Sequence, residues 1–101
     1  MTKYKVIIAR HVAEQVMKHV EFISNVSPEF AGEFVTGLDE VVARIGDNPF
    51  QFQVDTAFDN PEKYRRAIFA KWYKCIFIVE ETTVFIDSIV DCRQDNKDPL
   101  L

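Results

Sequence analysis

The sequence predicts an α+β fold, an antiparallel β-sheet with an N-terminal helical hairpin packed on it, in the order β-α-α-β-β-β. Three observations lead there. A short β-rich run, Tyr4 to Ala9, opens the chain, and two stretches of helical periodicity follow as far as Ile45. Three β-rich runs then close it: Tyr64 to Ala70, Trp72 to Val79 and Val84 to Val90, joined by links short enough for antiparallel hairpins. At 101 residues one hydrophobic core can form but two cannot, so a single domain is expected.

In the first helical stretch Ala13, Val16, Met17, Val20 and Ile23 recur at the three-and-four spacing of one buried face. Ser27 followed by Pro28 supplies an N-cap and a first-turn residue for a second helix. That helix carries Ala31, Phe34, Val35, Leu38, Val41, Val42 and Ile45 over four turns, and Gly46 stands where a left-handed C-cap belongs. Residues 47–62, with Pro49 and Asp59-Asn60-Pro61, have no sustained period and read as a long connection with an edge strand near Phe50 to Val54. In the last run Val84, Ile86, Ser88 and Val90 share one expected face, and Phe85, Asp87 and Ile89 the other.

Composition narrows the chemistry. Hydrophobic residues make up 48% of the chain, enough to form a core without disulfides or metals. The longest apolar runs, Val6 to Ala9 and Cys75 to Val79, fall far short of the ~20 residues of a membrane-spanning helix. The opening residues lack the pattern of a secretory signal, so the expected location is the cytoplasm. Cys75 and Cys92 read as small buried hydrophobes rather than a bridge. His11 and His19 would lie about 12 Å apart on a helix, too far to share one metal ion, and no metal or cofactor is expected. No Gly-rich phosphate loop, Ser-His-Asp set or CxxC motif is present, and Glu80 and Glu81 read as solvated turn charges.

Charge is unevenly distributed. Residues 63–79 hold Lys63, Arg65, Arg66, Lys71 and Lys74 and no acid, so the remainder of a chain whose total is -4 carries -9. Such a local cationic face can dock an anionic partner, while the acidic whole disfavours long-range attraction to nucleic acid. The bland alternative is a solvated face whose cations pair with carboxylates elsewhere. On one extended strand Arg65 and Arg66 point to opposite faces and cannot both address one phosphate. Arg93 follows the last strand beside Asp91, where a structural ion pair and a functional role are equally natural. Among the aromatic residues Phe50, Phe52, Phe58, Tyr64, Phe69, Trp72 and Tyr73, Phe69 reads as core, as does Phe77. Trp72, between two lysines, reads as at least half exposed and suited to an interface.

Taken in order, several segments resemble the RelE/ParE toxins. They are Tyr4-Lys5-Val6-Ile7-Ile8, a helical hairpin ending at Ile45 before Asn48-Pro49, Tyr64-Arg65-Arg66, the run from Tyr73-Lys74 to Glu80, and the run from Val84 to Cys92-Arg93. The resemblance covers about residues 3 to 95 of one toxin domain. It implies the toxin of a type II toxin-antitoxin (plasmid stabilisation) module, neutralised by a cognate antitoxin, as a homodimer or a hetero-oligomer with it. Family members of known target mostly either cut messenger RNA on the ribosome or poison DNA gyrase.

For a nuclease, the resemblance makes Arg65, Lys74 and Arg93 the catalytic candidates, with Arg66 beside them as a further source of stabilising charge. Yet after Arg93 the chain reads Gln94-Asp95-Asn96-Lys97-Asp98-Pro99-Leu100-Leu101, without the terminal Tyr or His that often assists cleavage. With the acidic total, this favours a ParE-like gyrase inhibitor over a RelE-like ribosome-dependent mRNA endonuclease; a degenerate, non-toxic antitoxin-binding module is a further alternative. The expected target- or antitoxin-binding residues are Lys63, Tyr64, Arg65, Arg66, Lys71, Trp72, Lys74 and Arg93.

Overall fold

The computed structural model describes residues 3–55 and 63–95, the last two as backbone only. Phe58, Asp59-Asn60-Pro61 and residues 96–101 lie outside the described residues. Strand β1 (Lys5–Ile8) leads into helices α1 (Arg10–Val26) and α2 (Pro28–Asp47), and β2 (Arg65–Phe69), β3 (Tyr73–Glu80) and β4 (Thr83–Asp91) complete the order β-α-α-β-β-β. A 3₁₀ turn (Pro49–Gln51) follows α2, and a single helical turn (Cys92–Asp95) follows β4.

One residue joins the two helices. Ser27 ends α1 through its N–H on the Ile23 carbonyl, and its side chain accepts the Phe30 N–H at 3.2 Å to begin α2, with Pro28 in the first turn. The α2 stripe faces the sheet through Ala31, Phe34, Val41 and Ile45, while Val35 is exposed. On α1 the buried face is rotated from the expected one. Val12 and Ile23 are buried and Val16 and Val20 pack beside them, but Ala13 is exposed and Met17 is 71% exposed. Gly46 makes no left-handed cap: it is buried inside α2, which runs on to an Asn48 C-cap. Its carbonyl accepts the N–H groups of Lys3 and Tyr4 at 3.1 and 3.0 Å, which fixes the start of β1 against the helix end.

The sheet has the order β1-β4-β3-β2. β2, β3 and β4 form an antiparallel meander, but β1 pairs with β4 in parallel, Lys5 opposite Thr83 and Ile8 opposite Ile86, so the sheet is mixed rather than wholly antiparallel. The helices cover one face, packing on Ala67, Phe69, Tyr73, Cys75, Phe77, Val84, Ile86 and Ile89. No strict alternation along β4 produces that set. Ile76 pairs with Ser88 and Phe77 with Ile86, which leaves Asp87 as the extra residue of a β-bulge. The bulge moves the inward set from Val84 and Ile86 to Ile89 and Asp91, reversing the expected face for the second half of the strand.

Beyond the bulge, β1 has ended and α1 takes its place along the edge of β4. His11 Nε2 lies 2.9 Å from the Asp87 carbonyl, Gln15 Oε1 accepts the Ile89 N–H at 2.9 Å, and His19 Nε2 lies 3.0 Å from the Ile89 carbonyl. Contact with a carbonyl requires a protonated Nε2 on each imidazole. These polar side chains, one helical turn apart, satisfy backbone groups that an unpaired edge would leave bare. His19 also meets the Tyr73 and Phe34 rings edge-on or tilted at 5.2 and 5.9 Å. Among the described residues, no helix is long and apolar enough to cross a membrane.

Candidate functional site

The basic residues fall into two groups. The first clips the connection after α2 to β2 and β3. Arg65 donates from Nη1 to the Phe52 carbonyl at 2.8 Å, and its guanidinium carbon lies 5.0 Å from the Phe50 ring centre. Arg66 donates to the Val54 carbonyl and the Gln53 side chain, both at 3.0 Å. Strand alternation sets Arg65 on the helix-covered face with Ala67 and Phe69, and Arg66 on the other. Lys74, on the open face, pairs with Asp55 at 3.2 Å, and both side chains are largely buried. The expected edge strand at Phe50 to Val54 reduces to the 3₁₀ turn and one antiparallel bridge, Val54 opposite Arg65. Pro49 lacks the N–H of a ladder residue, and the Asn48 side chain, accepting the Phe50 N–H, favours a turn. Lys63 is exposed, its Nζ 5.9 Å from the half-buried Tyr64 ring.

The second group surrounds the β2–β3 turn, at the opposite end of the sheet. Trp72 is half-buried rather than exposed, because its indole is held between Phe30, at 5.3 Å, and the Arg93 guanidinium, 4.2 Å from its ring centre. Arg93 also donates from Nε and Nη2 to both carboxylate oxygens of Asp91, at 3.2 and 3.1 Å. The sequence left this pair open between structure and function; it is formed, yet half of the Arg93 side chain remains exposed. Lys71, exposed at the turn, stands 6.0 Å from the Phe30 ring.

This geometry does not gather Arg65, Lys74 and Arg93. Arg65 is opposite Phe77, whereas Arg93 lies two residues beyond Asp91, the partner of Tyr73. Four residue steps along β3 separate those positions, roughly 13 Å of strand. Lys74 projects from the other face. The structure instead assembles residues that sequence reasoning did not combine: Phe22 and Val26 on α1, Phe30 on α2, Trp72, Tyr73 and Arg93 enclose a pocket of about 180 Å³. The signal was faint but present, since Phe22 and Val26 fall one turn apart on α1, outside the expected buried face.

Electrostatics at the pocket floor follow from burial. Tyr73 is almost fully buried, and desolvation, then the Asp91 carboxylate, push its hydroxyl above the ordinary tyrosine value against the opposing pull of Arg93 and the indole. At Asp91 desolvation pushes upward, but hydrogen bonds from the Arg93 side chain and backbone, with the charges of Arg93 and His19, prevail and lower it. Burial alone raises the Cys75 thiol to about 12, which makes it a poor nucleophile. Cys75 is a free thiol.

Asp91 gives a pH prediction. Because its folded-state value is depressed, its contribution is fully present above the unfolded value of about 3.9 and is lost as pH falls through the lower folded value. In urea titrations Asp91→Asn should be less stable than the parent at pH 7, and the gap should narrow as pH falls below the unfolded value of about 3.9. A gap independent of pH would assign the loss to packing rather than charge.

No family model and no curated protein matches the sequence. A solved chain of the "Chromosomal ParDE TA system from P. aeruginosa" has a similar fold. The TM-score is 0.72 at 16% sequence identity, over 88% of this chain and 96% of that one. At so low an identity the likeness concerns the fold alone.

Proposed function

We propose that this chain is the toxin of a two-component toxin-antitoxin module, acting as a ParE-like protein inhibitor of DNA gyrase in the cytoplasm until a cognate antitoxin binds it. The observation that carries this reading is the fold shared with a ParDE chain over 88% of the sequence, in the segment order that the sequence itself suggested. The dispersal of Arg65, Lys74 and Arg93 favours an inhibitor acting by contact over a ribosome-dependent nuclease, which needs its charged groups at one phosphate. Among the described residues β1 is an edge strand, which suits an antitoxin strand: Lys5 turns its N–H to the Thr82 carbonyl, so Val6 and Ile8 present backbone groups outward, between Lys3, Lys5 and Arg10.

Induction from a tightly repressed promoter tests the reading. Growth arrest and filamentation are expected, with rescue by the product of the adjoining reading frame, and purified protein should inhibit gyrase supercoiling while induced cells keep their messages intact. Codon-phased cuts by primer extension, abolished in Arg93→Ala with supercoiling unaffected, would replace the inhibitor by the nuclease. Normal growth with soluble protein would leave a non-toxic binding module.

A further inference from the structure

The pocket beside Trp72 has the features of an anchor site. Its volume of about 180 Å³ is near the ~150 Å³ that holds one benzene-sized group. Its mouth is formed by Phe22 and Val26, 60% and 72% exposed, apolar side chains that a free helix face gains nothing by presenting to water. The turn that delivers Trp72 is itself unusual. Ala70 and Lys71 have φ of 46° and 73°, two successive non-glycine residues in the left-handed region. The Trp72 N–H closes the turn on the Ala70 carbonyl at 2.8 Å, the Trp72 carbonyl accepts the Cys92 N–H at 2.7 Å, and the indole lies between Phe30 and Arg93. The left-handed pair reverses the chain between β2 and β3, as positive-φ residues do in a tight hairpin, and so sets Trp72 in the pocket wall.

Charge selects the occupant. Among the described residues Arg93 is the one charged residue lining the pocket, and Lys71 stands over Phe30 beside it. Two of the five guanidinium N–H groups of Arg93 go to Asp91, which leaves donors for a second carboxylate. A second copy of this chain packed through a two-fold axis would bring Arg93 toward Arg93, like charge toward like.

We infer that the pocket receives one large apolar side chain of the antitoxin, flanked on the same segment by a carboxylate that pairs with Arg93 and Lys71. This rests on the toxin reading above, and it names a surface distinct from the β1 edge. Trp and Arg are the residue types that most often dominate binding energy when they line such a pocket.

The chain has one tryptophan, so Trp72 reports directly on its own pocket. The protein is prepared with fluorinated tryptophan, and the probe is the purified polypeptide of the adjoining reading frame. Its addition should shift the single fluorine resonance. Val26→Asp and Phe22→Asp, outside the buried core and checked for folding by circular dichroism, should weaken binding about thirtyfold or more. Arg93→Glu should weaken it about tenfold or more, and Arg93→Lys less. Full-affinity binding to Val26→Asp, or an unmoved resonance at saturation, would overturn the inference while leaving the toxin-antitoxin pairing intact. A resonance that moves with concentration of the chain alone would overturn it in favour of a second copy. Failure of the polypeptide to bind the parent protein would remove the toxin reading and this inference together.

Discussion

Phe34→Ala is expected to lower stability by about 3–5 kcal/mol, the range for a buried phenylalanine cut to a methyl group. Phe34 is fully buried on α2 and meets rings of both α1 and the sheet: His19 of α1 at 5.9 Å, and Phe69 and Tyr73 of the sheet at 5.4 and 4.8 Å. Its loss combines missing transfer energy with a cavity that rings on three elements cannot readily collapse. A domain of this size has roughly 5–15 kcal/mol in all, so the variant should show a large fall in urea midpoint with the slope kept. Phe50→Ala is the control. That ring is 54% exposed and meets Tyr4 edge-on, and about 1 kcal/mol or less is expected. Equal losses at the two positions would contradict a core centred on the helix–sheet interface.

The parts of the fold legible in the sequence are those that local chemistry decides. Ser27-Pro28 specifies a cap and a first turn wherever the helix packs, and the stripe from Ala31 to Ile45 is long enough for its period to identify both helix and face. What was not legible depends on partners distant in sequence. The parity of β4 changes at Asp87 because a bulge is defined by the opposite strand, so alternation read from Val84 onward assigned Ile89 to the wrong face. β1 runs parallel to β4 because the chain crosses the helical layer before returning, which no property of Lys5–Ile8 encodes. Gly46 stood where a C-cap was expected, but Asn48 ends the helix and the glycine carbonyl receives β1 instead.

The α1 face was misjudged for a related reason. His11, Gln15 and His19 follow one another at intervals of four beside Val12 and Ile23, a polar row that could have been read as edge-satisfying; weighting apolar residues alone rotated the helix toward Met17. The candidate site was legible in part. Trp72, Lys71 and Arg93 were singled out and do stand together, whereas Phe22, Val26 and Phe30 join them only because a one-residue link brings the helix turn over the β2–β3 turn.

Replacing Arg65 and Arg66 together by alanine should cost about 1–2 kcal/mol for each guanidinium, and the damage should be local before it is global. Hydrogen bonds from charged donors contribute about 1.5–3 kcal/mol when well buried; these two side chains are partly exposed, so water replaces part of what is lost. Between them the two arginines bind the Phe52 and Val54 carbonyls and the Gln53 side chain, alongside the backbone bonds from Arg66 N–H to Gln53 and from Asp55 N–H to Tyr64. Three consecutive residues of the connection are therefore clipped to β2, and Arg65 additionally covers Phe50. Hydrogen exchange at the Asp55 and Arg66 amides should accelerate well before the core amides of β3 respond. Lysine in place of both should restore little, since a point ammonium cannot reproduce the planar fork that reaches the Val54 carbonyl and Gln53 at once. If growth arrest is lost in the alanine pair while melting and exchange are unchanged, the arginines contact the target and belong with the binding surface. If exchange rises as described and arrest persists at a temperature where the variant remains folded, the cationic run at Arg65-Arg66 serves the fold. Target contact then rests with the remaining cations around the β2–β3 turn, where Lys71 and Arg93 keep exposed charge.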